Sequence, residues 1–104
     1  MNLQALEIFK QSEHYRQQRN WLNHELRPAV CLKMASLPEK EADVLLSIYL
    51  TLIDQASRLR QHSHYAHSRI FSGGDATRFL EEFKAATEAY NRGLDIFKTI
   101  MGIK

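Results

Sequence analysis

The chain has 104 residues, of which 44% are apolar and 25% charged, with a net charge of only +2 and a single cysteine. That length supports one core rather than two, and that composition excludes a disordered tail. Near-neutrality excludes a strong global pull on nucleic acid or anionic lipid. Cys31 has no second cysteine to pair with, which fits a reducing compartment.

The opening residues, MNLQALEIFKQ, show neither the basic start nor the apolar run of a secretion signal. The longest apolar stretch, VLLSIYLTLI at 44–53, is half the length of about 20 residues that a membrane-spanning helix needs. A cytoplasmic protein without a membrane segment is expected. No repeat, low-complexity tract or flexible linker divides the chain, so a single domain over 1–104 is expected.

A first helix is predicted over about 2–26. Leu3, Leu6 and Phe9 open its apolar stripe, Tyr15 alone anchors 10–20, and Trp21, Leu22 and Leu26 resume it. Pro28 disfavours helical geometry at Arg27 and breaks the helix. A short helix over roughly 29–36 then turns Val30, Cys31 and Met34 inward. Ser36-Leu37-Pro38-Glu39 reads as a helix start, with Ser36 as the cap and Glu39 at the reciprocal capping-box position.

The helix that follows carries Ala42, Leu45, Leu46, Tyr49, Leu52, Ile53, Ala56 and Leu59 at helical spacing. Val44, Ile48 and Leu50 are apolar as well, so its middle needs cover on most sides. A strand over 44–53 is the competing assignment. Leucine outnumbers the β-branched residues there, and no turn signal closes the run before QASRLRQ, so the helix is preferred. Two readings of the apolar surplus stand: a bundle core, or a face for a second copy or a partner.

That helix runs into RQHSHYAHSR at 60–69. On a continuing helix Arg60, His64 and His67 share one face while His62 points elsewhere. SGGD at 72–75 ends the helix, with Asp75 able to cap the next one. The last helix has Phe79, Phe83, Ala86, Tyr90, Leu94, Phe97 and Met101 on one stripe, widened by Leu80. Gly93 marks either a kink or a close approach. Leu52, Phe83 and Phe97 are expected in the core. The expected fold is all-α: an antiparallel bundle of three long helices plus one short helix.

Candidate sites centre on arginine and histidine. Residues 55–74 contain Arg58, Arg60, Arg69 and three histidines without an acid, and 14–24 contain His14, Arg16, Arg19 and His24 without one. Together with Trp21, the residues Arg16, Arg19, Arg58, Arg60, His64, His67 and Arg69 form the expected binding surface. It would be a charge patch for an acidic partner or a phosphate backbone, with Tyr15, Trp21, Tyr65 and Phe71 available for stacking. The plainer alternative is a solvated helix end kept polar by Ser63 and Ser68.

Arg19-Asn-Trp-Leu-Asn-His24 has the form R-x4-H and resembles the motif of HEPN-type ribonucleases. The resemblance implies a small all-helical dimer in which arginine and histidine meet across the interface and cleave RNA without metal. That family carries its motif late in the domain, whereas this one lies in the first helix. Arg58…His64 and Arg60…His67 fit the looser spacing of the motif and lie later in the chain.

Other templates fail. His64 and His67 at i, i+3 are two ligands where zinc needs three or four, and Arg60 beside them repels a cation. No glycine-rich phosphate loop occurs, and Glu81-Glu82 falls on a solvent face. His14 and His24 are ten residues apart and fall on different faces of an ideal helix. No catalytic residue, metal or cofactor is therefore assigned. The expectation is a helical interaction protein (adaptor, chaperone or regulatory subunit) that forms a homodimer, with a nucleic-acid-binding regulator or metal-independent RNase as the alternative.

Overall fold

A computed structural model describes the backbone of residues 3–71 and 77–103, and the side chains of 6–66, 68 and 77–103. The expected connector at 72–75 and the side chains of Leu3, His67 and Arg69 lie outside the described residues. The elements are α1 (Leu3–Asn20), a π-helical turn (Trp21–Glu25), α2 (Arg27–Ser36), α3 (Glu39–Phe71) and α4 (Thr77–Met101), with no strand among the described residues. The protein is all-α, with three long helices and one short one.

The break at Pro28 has a clear cause. Proline offers no N–H to the carbonyl of His24, and its ring crowds that oxygen. The chain widens into a π turn one step earlier, closed by Leu26 N–H donating to the Trp21 carbonyl at 3.0 Å. Helix α2 then starts with Val30 N–H on the Leu26 carbonyl at 2.9 Å. Its end lies at Leu37, held extended (φ −102°, ψ 153°) as the residue before Pro38.

Ser36 does not cap α3 as expected. Its hydroxyl donates back to the Lys33 carbonyl at 2.7 Å, and the first helical bond of α3 comes from Ala42 N–H to the Pro38 carbonyl. Cys31 faces outward rather than inward, and Val30 is the buried member of α2.

Helix α1 runs antiparallel to α3. Tyr49 donates to the Leu22 carbonyl at 2.6 Å near one end, and Ile8 packs with Ala66 near the other. Helix α4 is antiparallel to α3 too, with Tyr49 stacked on Phe97 (6.0 Å) at one end and Tyr65 against Phe79 (5.1 Å) at the other. Helices α1 and α4 are therefore parallel, joined by Tyr15 to Thr87 (3.2 Å) and Tyr90 to Gln18 (2.8 Å).

The core holds Tyr15, Leu22, Val30, Leu45, Tyr49, Leu52, Ala56, Leu59, Tyr90 and Phe97. Leu52 and Phe97 are buried as expected; Phe83 is only partly so and packs at the edge of this cluster. The α4 stripe has the predicted phase. In α1 the phase differs by one position: Ile8 is buried, whereas Leu6 and Phe9 are exposed. The inward positions Ile8, Tyr15 and Leu22 are seven residues apart, two helical turns each. Gly93 is a close approach, since a Cβ there would lie 3.3 Å from Leu52 Cδ2.

Candidate functional site

The antiparallel pairing of α1 and α3 leaves an open groove of about 720 Å³ between them, lined by Phe9, Ser12, Glu13, Arg19, Ser57, Arg60, Gln61, His64 and Tyr65. Two sequence stretches about forty residues apart thus meet on one face. Of the predicted binding residues, Arg19, Arg60 and His64 line this groove.

The others separate. Arg16 holds Glu13, its Nε and Nη2 both donating to Oε2 at 3.1 and 3.0 Å. Arg58 is exposed and pairs with Asp54 at 3.0 Å outside the groove. Trp21 borders a different cavity with His14, Gln18, Tyr90, Asn91, Leu94 and Lys98, and the Lys98 ammonium sits 5.9 Å from its ring. His67 and Arg69 lie outside the described side chains. The reason for the split is helical geometry. Arg19 and Trp21, like Arg58 and Arg60, are two residues and therefore about 200° apart around their helix.

The groove is electrostatically lopsided. Glu13 is the one carboxylate on its walls, and Arg16 neutralises it. Neither Arg19 nor Arg60 has an ion pair among the described residues, and Arg19 Nε is shielded from solvent with no hydrogen-bond partner. Ser57 donates its hydroxyl to the Ile53 carbonyl at 3.0 Å. Tyr65 is 61% exposed, its ring held by Phe79.

His24, the histidine of the R-x4-H motif, is exposed on the π turn and does not line the groove that Arg19 enters. Among the described residues, no three His, Cys, Asp or Glu side chains come together as a metal would need. His62 instead borders a small, mostly apolar cavity with Glu7, Ile8, Ser63, Ala66 and Phe83. Among the described residues no helix is long and apolar enough to cross a membrane.

A second surface stands out on α3. Val44, Leu46 and Leu50 are exposed by 55%, 36% and 54%, although the same helix supplies half of the core. Leu46, Leu50 and the half-buried Ile53 succeed one another by four and three residues and form one stripe, which Ser57, Gln61 and His64 continue. The apolar stripe therefore leads into the basic groove.

The chain matches no protein-family model, no curated protein and no solved structure.

Proposed function

We propose that the protein is a small cytoplasmic helical interaction module, an adaptor, chaperone or regulatory subunit, that works as a homodimer. The observation that carries this reading is the apolar surplus of α3: Leu46 and Leu50 stay exposed on one face after the core is complete, with the half-buried Ile53 beside them. Apolar side chains grouped on one helix face are stabilised when a second surface excludes water from them. A second copy offers the same stripe, and a symmetric dimer pairs a patch with itself. The exposed, free thiol of Cys31 suits a reducing compartment.

Light scattering across the micromolar range tests the reading. Dimers are expected, burying about 1,600 Å² in total, a standard interface. Leu50→Glu should give monomers with the thermal midpoint of the wild-type monomer. A wild-type chain that remains monomeric at high micromolar concentration would overturn the proposal. A second reading, a nucleic-acid-binding regulator, draws support from the meeting of Arg19, Arg60 and His64 in one groove.

A further inference from the structure

We infer that the α1–α3 groove binds a nucleotide phosphate, with the phosphate between Arg19 and Arg60 and the base against Tyr65. The inference goes beyond self-association and stands without it.

The argument begins with Arg19. A guanidinium stays charged at any ordinary pH, so a shielded Nε–H without an acceptor is an uncompensated charge-bearing donor. An anion in the groove offsets that charge from outside, through the part of the guanidinium that faces the groove, since Nε itself is closed to solvent. Arg60 supplies a second fork on the opposite wall. Long side chains on a helix lean toward its N-terminus. On antiparallel helices Arg19 and Arg60 therefore lean along the groove toward each other. Two forks facing one cleft suit a tetrahedral oxyanion, whose several oxygens accept bidentate bonds.

Charge supports the same occupant. Arg16 already neutralises the single wall carboxylate, Glu13. The remaining charge is two guanidiniums, with His64 as a further donor, and such a cleft repels metal cations. Ser12 and Gln61 add polar groups to the walls.

The aromatic rim specifies what the phosphate is attached to. Tyr65 lines the same groove five residues beyond Arg60, on the side away from Arg19, so a base carried by the phosphate extends along the groove toward it. The Tyr65 ring is exposed yet fixed by Phe79, which makes it a ready stacking surface. The groove volume of about 720 Å³ accommodates a ligand of this size.

Calorimetry at low salt with adenosine monophosphate, adenosine, inorganic phosphate and a single-stranded oligoadenylate provides the test. Adenosine monophosphate should bind, inorganic phosphate should compete with it more weakly, and adenosine should not bind measurably. Arg60→Gln and Tyr65→Ala should each weaken binding about tenfold, as expected for one charge-assisted contact or one stacked base. Arg58→Gln, outside the groove, should leave it unchanged. Arg19→Gln should abolish binding while the thermal midpoint holds or rises, because it removes the unpaired charge. A purely structural Arg19 would instead lower the midpoint. An oligoadenylate that binds more tightly than the monophosphate and is displaced by it identifies a strand as the source. Equal affinities identify the free nucleotide. Adenosine binding as well as its monophosphate, wild-type affinity in Arg60→Gln, or no binding of the monophosphate at millimolar concentration would each sink the inference.

Discussion

Helices α1 and α4 run side by side against the same partner, yet different chemistry holds them. Helix α4 presents an apolar stripe on which Tyr90 and Phe97 are fully buried and Phe83, Ala86 and Leu94 fill the edges. Helix α1 and the π turn that continues it reach the interior at Ile8, Tyr15 and Leu22, and between them the inward side carries polar residues. Gln18 accepts from Tyr90, Tyr15 donates to Thr87, and Arg19 lines the groove. The lesson is that one helix is held by area and the other by anchors and hydrogen bonds. The polar inner side of α1 is also what leaves an open, charged groove beside α3.

The largest expected effect tests the area side of this contrast. Phe97→Ala should destabilise by about 3–5 kcal/mol, since the ring is fully buried and stacked on Tyr49. Phe83→Ala, partly exposed at the edge of the core, should lose less, in proportion to the smaller area it covers. Equal losses in chemical denaturation would show that the α4 stripe is buried more evenly than the structure has it. On the anchor side, Leu22→Ala should cost about 2–5 kcal/mol, because α1 has few other inward apolar residues to share the load.

The same contrast explains what could be read from the chain. In α4 every large residue at helical spacing agrees on one face, so the sequence predicts its phase correctly. In α3 the surplus is only partly legible: Val44 and Leu50 are left exposed as their excess over the stripe suggests, but Leu46, which the spacing puts on the stripe, is exposed too, and Ile48 packs against the core. In α1 the strongest apolar residues, Leu6 and Phe9, mislead, because the tertiary contacts are made by Ile8 and by tyrosine hydroxyls whose partners lie 72 residues away. The groove was legible only as two acid-free stretches. Which of their residues meet depends on the register between α1 and α3, and neighbours such as Arg58 and Trp21 rotate away from it.

Next in size is the Tyr49 hydroxyl. It donates to the Leu22 carbonyl within the π turn, so it ties the widened turn before Pro28 to α3. Tyr49→Phe should cost about 1–3 kcal/mol by leaving that buried carbonyl without its donor. A change below a few tenths in thermal or chemical denaturation would mean that water serves the carbonyl equally well.

Smaller again are the two hydrogen bonds between α1 and α4. Tyr90→Phe should lose about 1 kcal/mol, the ordinary net contribution of one hydrogen bond. Tyr15→Phe should lose less, since its bond to Thr87 is longer at 3.2 Å against 2.8 Å. A double variant that loses the sum of the two would show independent bonds. A smaller combined loss would show that the Tyr15 and Tyr90 rings, 5.7 Å apart edge to face, act as one unit.

The smallest effect appears only in alkali, and it follows from the same tyrosines. Burial holds the Tyr90 phenol well above its ordinary value of 10, and the neighbouring Tyr15 pushes it in the same direction. Tyr49 is raised as well, chiefly by burial, with the Arg27 charge working against the rise. A phenol whose pKa is higher in the folded state than in the unfolded chain favours folding fully below the unfolded value. That contribution is lost as the pH climbs past about 10, where the unfolded chain begins to release protons that the folded protein retains. The thermal midpoint should therefore be level through neutrality as far as these groups are concerned, and fall above about pH 10. Tyr90→Phe removes the more strongly shifted group, so its midpoint should start lower but fall less steeply. Tyr49→Phe should flatten the slope to a lesser degree. Parallel alkaline slopes in wild type and Tyr90→Phe would show that Tyr90 ionises without unfolding the α1–α4 seam, and that its hydroxyl is wetter than its position between Gln18 and Tyr15 implies.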